Sequence, residues 1–239
     1  MGRLIAISDI HGMAGEFQEL LKNLHYSPDT DQLILLGDYV DWGPFSKGVL
    51  ELAMNLSRNY GAVVLRGNHE EMLMRWLDDD KVVTAGRYIK QFGATTLRSF
   101  WGESTFNHDE NTARQKLQEM YADLFGFVRK LPYYHEKDGH VFVHAGINPE
   151  LSDWRDTTLD DMLTIREAFY SAPFAFPKTI VFGHTPCFLL HGTPDIWFGE
   201  RKIGIDGGCA HGYQLNALVI NDEGYQRLFV PTSTEVKRS

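Results

Sequence analysis

Five short segments of the 239-residue chain carry side chains able to bind cations and phosphate: Ser8-Asp9-Ile10-His11-Gly12, Gly37-Asp38-Tyr39-Val40-Asp41, Arg66-Gly67-Asn68-His69-Glu70, Val143-His144-Ala145-Gly146 and Gly183-His184-Thr185-Pro186. Their donors are carboxylate, amide and imidazole, a set that suits manganese, iron or zinc better than a thiolate-built structural zinc site. Asp9, His11, Asp38, Asn68, His144 and His184 are too many ligands for one open ion. They fit two ions that share a carboxylate at roughly 3.5–4 Å separation. Asp9-x-His11 reads as alternate residues of an extended strand end, which turns both donors to one side. A glycine beside almost every donor lets the backbone turn sharply there.

The elements that must position these groups are legible around them. Each segment closes an apolar run that reads as a strand: residues 3–8, 32–37, 62–67, 140–146 and 179–183. Residues 14–24 and 47–56 have apolar side chains at helical spacing, so the first third alternates strand and helix. That order predicts right-handed crossovers and a mostly parallel sheet. Ligands bind beyond the carboxyl ends of such strands, and five ends would converge on one site. Further strands are expected near residues 203–206, 215–220 and 225–230.

From about 71 to 130 the pattern is helical, with Met72, Leu73, Trp76 and Leu77, then Leu117, Met120, Tyr121, Leu124 and Phe125, and a polar stretch at 103–111 between. We read it as a helical insertion or cap within a single domain spanning 1–239. Phe17, Trp76, Trp101 and Phe125 suit a core or cap stripe. The tail, 231–239, is polar and expected to fray.

The five motifs, in order from Asp9 to His184, resemble the calcineurin-like metallophosphoesterases, whose pattern is D-x-H, G-D-x-x-D, G-N-H-E, H and G-H. Gly37–Asp41 and Arg66–Glu70 are similar to the PPP-type serine/threonine protein phosphatases and to the related bacterial diadenosine tetraphosphatases. The resemblance implies an α/β sandwich of two mixed sheets flanked by helices. It implies that Asp9 and His11 hold a first divalent ion, that Asp38 bridges, and that Asn68, His144 and His184 hold the second. Manganese is the expected metal, with iron or zinc as alternatives. It further implies that a hydroxide bridging the ions attacks phosphorus, that His69 is the general acid with Asp41 keeping it protonated, and that Arg66 and Arg166 grip the phosphate. Bidentate guanidinium contacts orient a phosphate better than lysine does.

One position departs from the family's G-D-x-V-D-R-G: Trp42 stands where the family has a phosphate-contacting arginine. It either packs against its loop or offers a flat ring to a base or aryl group. Arg75, Lys81, Arg87, Lys90 and Arg98 of the helical stretch are placed to meet a polyphosphate or to be solvated. The expected activity is a phosphomonoesterase of serine/threonine protein-phosphatase type. Symmetrical bis(5'-nucleosyl)-tetraphosphatase is the alternative, so the partner is a phosphoprotein or a nucleotide. A non-catalytic binding protein on the same fold would be expected to have lost ligands that this chain retains.

Remaining groups read as structural. His25, His108, His135, His140, His191 and His211 fit no motif; 204–208 reads as a structural turn, with a turn beside the site whose Asp206 supports a ligand as the alternative; Glu70 reads as a supporting or helix N-terminal carboxylate; and Asp78-Asp79-Asp80 is a solvated run. With 43% hydrophobic and 23% charged residues the chain is an ordinary globular protein, not a fibrous or disordered one. A net charge of −9 argues against binding nucleic-acid polymers or a membrane surface. Cys187 and Cys209, with no CxxC, read as free thiols of a reducing compartment. The apolar N-terminal stretch Leu4–Ile7 is shorter than a secretory or spanning segment, so the expected location is the cytoplasm.

Overall fold

The computed structural model describes residues 2–78, 88–101, 110–173 and 176–233. Two five-stranded mixed sheets lie face to face. The first has the order β10-β9-β1-β2-β3, from β1 (Leu4–Ile7), β2 (Gln32–Leu35), β3 (Val63–Val64), β9 (Gln214–Asn221) and β10 (Gly224–Pro231). The second runs β4-β5-β6-β8-β7, from β4 (Tyr134–Lys137), β5 (His140–Val143), β6 (Thr179–Phe182), β7 (Trp197–Gly199) and β8 (Lys202–Gly204). β1, β2 and β3 are mutually parallel, as are β5, β6 and β8; β4, β7, β9 and β10 pair antiparallel.

Strand alternation sorts the core into three layers. Leu4 and Ala6 of β1 face the second sheet and meet Ile34, Phe142, Val181 and Ile203. Ile5 and Ile7 face the other way, into helices α1 (Ala14–Asn23) and α2 (Ser46–Tyr60), through Phe17, Leu20, Val49 and Leu50. Val141, Val143, Ile180 and Phe182 pack on the outer face of the second sheet against Trp154, Met162 and Phe169. Each fully buried side chain of this kind stabilises by about 1.5–3 kcal/mol.

Helices α3 (Asn68–Leu77), a π-helical turn (Ile89–Gly93) continuing into α4 (Ala94–Trp101), α5 (Glu110–Met120) and α6 (Ala122–Val128) occupy the described part of the middle region. Phe17, Trp76 and Phe125 are fully buried, and Trp101 packs at the edge of the same cluster. Asp79 and Asp80, Lys81, Arg87, His108, most of the polar stretch at 103–111 and the end of the tail lie outside the described residues.

The five predicted ligand-bearing strands exist, but they stop before their ligands. The expected extended geometry of Asp9-x-His11 is wrong: both residues are left-handed, with φ of 55° and 46°. The reason is that this loop runs beside the one after β2. Its N–H groups at Asp9, His11 and Gly12 donate to the carbonyls of Gly37, Asp38 and Tyr39 at 3.2, 2.8 and 2.8 Å. β4 and β7 were not anticipated. β4 reads YHEK, with no apolar alternation, and β7 has three residues.

Candidate active site

All five motifs stand at carboxyl ends of parallel strands: β1, β2 and β3 in one sheet, β5 and β6 in the other. Their side chains meet between the sheets' ends. Of the nine non-glycine residues with positive φ among those described, Asp9, His11, Asp38, Asp41, Trp42 and His184 belong to this site. Such conformations cost on the order of 1–3 kcal/mol each and persist where surrounding bonds over-determine them.

Those bonds can be named. Glu70, in the first turn of α3, is fully buried and accepts N–H bonds from Asp38, Tyr39, Val40 and Gly67 at 2.8, 2.7, 3.2 and 3.0 Å. One carboxylate thus clamps the Gly37–Asp41 loop to the start of α3. Asp38 in turn accepts the His69 N–H at 3.0 Å, at the positive end of that helix. Two glycines permit the approach. A methyl group at Gly67 would overlap Asp38, and one at Gly183 would overlap Ser8 and Asp9.

Two donor clusters share Asp38. The ligating atoms of His11, Asp38 and His69 lie within 4.8 Å of one another, as do those of Asp38, His144 and His184. His11 donates Nδ1–H to the Val40 carbonyl at 2.8 Å, and His144 donates Nδ1–H to the Leu36 carbonyl at 2.9 Å. Both rings therefore turn Nε2 inward, 3.5 and 3.4 Å from Asp38 Oδ2. A backbone carbonyl fixing the far nitrogen is how metal-binding imidazoles are oriented. Asn68 Oδ1 lies 2.8 Å from His144 Nε2. Asp9 stands beside the clusters rather than in them: it accepts from Ser8 Oγ, and from the His184 N–H at 3.0 and 3.2 Å. The donor set fits a pair of divalent ions.

The charges are arranged to match. Burial opposes ionisation of Asp38, but the imidazoles of His144, His69 and His11 outweigh it and hold the carboxyl well below its usual range. Burial, with His144 and Arg166 nearby, drives the His184 pKa down to about 2, so its ring is neutral and its lone pair available. For His144, burial is overcome by Asp38 and Asp9, which raise it to about 9. A cation binding its Nε2 must displace that proton.

Beside the clusters, His69 Nδ1–H donates to Asp41 Oδ2 at 2.7 Å. Burial disfavours the imidazolium, yet Asp38 and Asp41 raise its pKa to about 9. Sequence reasoning missed what holds Asp41. Tyr88 Oη and Thr96 Oγ1 both donate to its Oδ1, at 2.9 and 2.6 Å, and its N–H donates to Thr96 Oγ1 and Ser46 Oγ at 2.8 and 3.1 Å. Tyr88 caps the π-helical turn and Thr96 lies in α4, where only a polar residue on an otherwise apolar helix face signals them.

A cavity of about 290 Å³ opens on these groups, lined by Asp9, His11, Asp38, Asn68, His69, Arg166 and His184. Trp42, Met72, Phe92, Pro186 and His211 complete its wall, together with Asp206, whose carboxyl burial and Asp9 push well upward. The sequence reads His211 as structural and leaves Asp206 in a turn either structural or beside the site; the fold brings both to the cavity. Arg66 is not among the lining residues, since its Nε faces Glu71 at 3.0 Å. Lys90 and Arg98 are exposed elsewhere, and Arg75 does not line the cavity.

Residues 2–208 match the family model described as calcineurin-like phosphoesterase, and the chain belongs to that family. It is a metal-dependent phosphoric ester hydrolase. The chain is 28% identical over 239 residues to bis(5'-nucleosyl)-tetraphosphatase PrpE (asymmetrical) of Halalkalibacterium halodurans, covering 89% of this chain and 87% of that one. It is 32% identical over 147 residues to the symmetrical bis(5'-nucleosyl)-tetraphosphatase of Aromatoleum aromaticum, covering 61% of this chain and 45% of that one. Among solved structures, a protein serine/threonine phosphatase from Saccharomyces cerevisiae shares the fold at a TM-score of 0.62 and 14% identity, covering 99% of this chain and 82% of that one.

Proposed function

We propose that this chain hydrolyses dinucleoside polyphosphates, bis(5'-nucleosyl)-tetraphosphates in particular. The sequence by itself favoured a protein phosphatase. Relatives aligned over nine-tenths of the chain carry the tetraphosphatase name, while the likeness to the yeast phosphatase is one of fold. The observation in the molecule that supports this reading is a cavity of about 290 Å³ whose wall sets Trp42, Met72, Phe92 and Pro186 beside the charged groups, a lining suited to a nucleotide with its base.

Asp9, His11, Asp38, Asn68, His144 and His184 would hold two divalent ions, most naturally manganese. When bound, such ions polarise phosphoryl oxygens and lower the pKa of water towards 7. The chain's own groups do the rest. Arg166 binds the substrate's phosphate. Asp41 orients His69, which keeps a proton at Nε2 for the leaving oxygen; general acids of this kind contribute about 10²–10⁴ in rate. Arg66 reaches a phosphate only by leaving Glu71.

The test is parallel kinetics, with manganese, on diadenosine tetraphosphate, a phosphoserine peptide and para-nitrophenyl phosphate. We expect kcat/KM for the dinucleotide to lead by at least about tenfold, a 1.4 kcal/mol preference. A lead for the phosphopeptide would return the assignment to the protein-phosphatase type. Protein that purifies with no affinity for manganese would remove catalysis altogether.

A further inference from the structure

Part of the cavity wall, next to His69, is aromatic. Trp42 and Phe92 meet edge-on with ring centroids 5.5 Å apart, and Trp42 and His211 are 5.7 Å apart at 57°. Trp42 keeps 43% of its surface exposed although it lines a cavity. It is also held in a left-handed conformation, φ 64°, where the neighbouring Gly43 N–H is fixed to the carbonyls of His11 and Asp41. Unlike the buried Trp76 and Trp154, and unlike the other exposed aromatic side chains, Trp42 presents its ring to the cavity that holds the charged groups.

The wall has a defined side. Phe92 touches Trp42 on one edge and the His69 ring on the other, at 5.3 Å. The π-helical turn Ile89–Gly93 presents it there, and such turns occur often at functional sites. The aromatic surface therefore begins next to the group that faces the leaving oxygen. Arg166 is the one arginine among the described residues lining the cavity, so the wall itself offers no cation to a chain of phosphates. It offers flat faces and, from His211, a ring nitrogen that can bond a heteroatom.

We infer that Trp42, Phe92 and His211 form a stacking subsite for the nucleobase on the leaving-group side of the scissile phosphate. This rests on the reading of the chain as a nucleotide hydrolase. It commits Trp42 to binding a base where the family's arginine contacts phosphate. A cavity of about 290 Å³ is at the small end of ligand sites, so a dinucleoside polyphosphate extends beyond it.

Calorimetry on the manganese-loaded protein separates base from phosphate when charge-matched, non-hydrolysable probes are compared. α,β-Methylene-ADP should bind ten- to a hundred-fold more tightly than methylenediphosphonate, the range of base–aromatic stacking. Trp42→Ala should abolish that ratio and Trp42→Phe should keep most of it. Trp42→Arg should abolish it as well, while tightening both probes through the diphosphonate they share. His211→Ala should lower it by several-fold, an independent check should the loop not tolerate alanine at 42. Methylenediphosphonate affinity, unchanged in the alanine variants, reports an intact phosphate site. A ratio that survives both Trp42→Ala and His211→Ala overturns the subsite. So does an equal, Trp42-dependent gain for phenylphosphonate over methylphosphonate, which would mark a site for phosphoaryl groups. Diadenosine tetraphosphate turnover with no Trp42 dependence of the ratio would sink the subsite and leave the hydrolase reading standing. A Trp42-dependent ratio without turnover would do the opposite.

Discussion

Replacing Thr96 by valine probes whether α4 governs His69, the proposed general acid, through Asp41. Thr96 is fully buried, as is Asp41, and its hydroxyl both donates to Asp41 Oδ1 at 2.6 Å and accepts the Asp41 N–H at 2.8 Å. Valine is close in shape and removes both bonds. A hydrogen bond to a charged group is worth about 1.5–3 kcal/mol. Tyr88 still holds the same oxygen and Ser46 still accepts the N–H, so the carboxylate loosens rather than departs. The part of this reaching the transition state is about 1.4–2.8 kcal/mol, ten- to a hundred-fold in kcat. It should appear only where the leaving oxygen needs a proton. Glycerol phosphate hydrolysis should slow by that factor and para-nitrophenyl phosphate by less than about threefold, since nitrophenolate leaves unaided. Thr96→Ser restores the hydroxyl and should recover the rate; His69→Asn should show the same selectivity, exaggerated. Equal slowing of both substrates by Thr96→Val, or no recovery in the serine variant, would mean that the network only supports the fold.

Four shorter predictions bear on the scaffold. Asp38→Asn should abolish binding of both ions, read as metal content after dialysis against manganese, because both clusters share that residue. Gly67→Ala should fold with a lowered Tm and greatly weakened metal binding, since the methyl group displaces Asp38. Glu70→Gln sets an amide NH₂ against backbone N–H groups and should cost about 2–4 kcal/mol in urea unfolding, beyond a typical surface change. Arg3 holds the Asp31 carboxyl below its usual range through bonds of 2.9 and 2.6 Å. The unfolded state therefore takes up protons first as pH falls. The pair's contribution is complete above the ordinary carboxylate pKa and lost through the lowered one. Asp31→Asn should destabilise by about 1–2 kcal/mol at pH 7 and by nothing measurable near pH 2.

How much of this was legible in the sequence differs by element. Apolar runs fixed the existence of β1, β2, β5 and β6, because fully buried strands have no polar phase to confuse the pattern. The candidate donors stood out because each follows such a run. Their backbone geometry was not, because the left-handed turns at Asp9 and His11 depend on bonds to a loop some thirty residues away. Tyr88 and Thr96 were hidden for the same reason: both act on Asp41 across roughly fifty residues of sequence, and a buried polar group on a helix carries no label for its partner. Arg66 showed the converse. Its motif marks it as a phosphate ligand, but its Nε faces Glu71 and the side chain does not line the cavity. The leaning towards a protein substrate came from motif shape, which the two kinds of enzyme have in common.

Asp9, Asp38 and Asn68 hang from one sheet, His144 and His184 from the other. Ions seated among them would therefore act as rivets through the sandwich, adding to the oily contact and the few hydrogen bonds that join its halves. Chelation should loosen the whole body: at a hundred times its dissociation constant, a cation adds about 2.7 kcal/mol to resistance against unfolding. Heat tolerance and metal supply would then rise and fall as one.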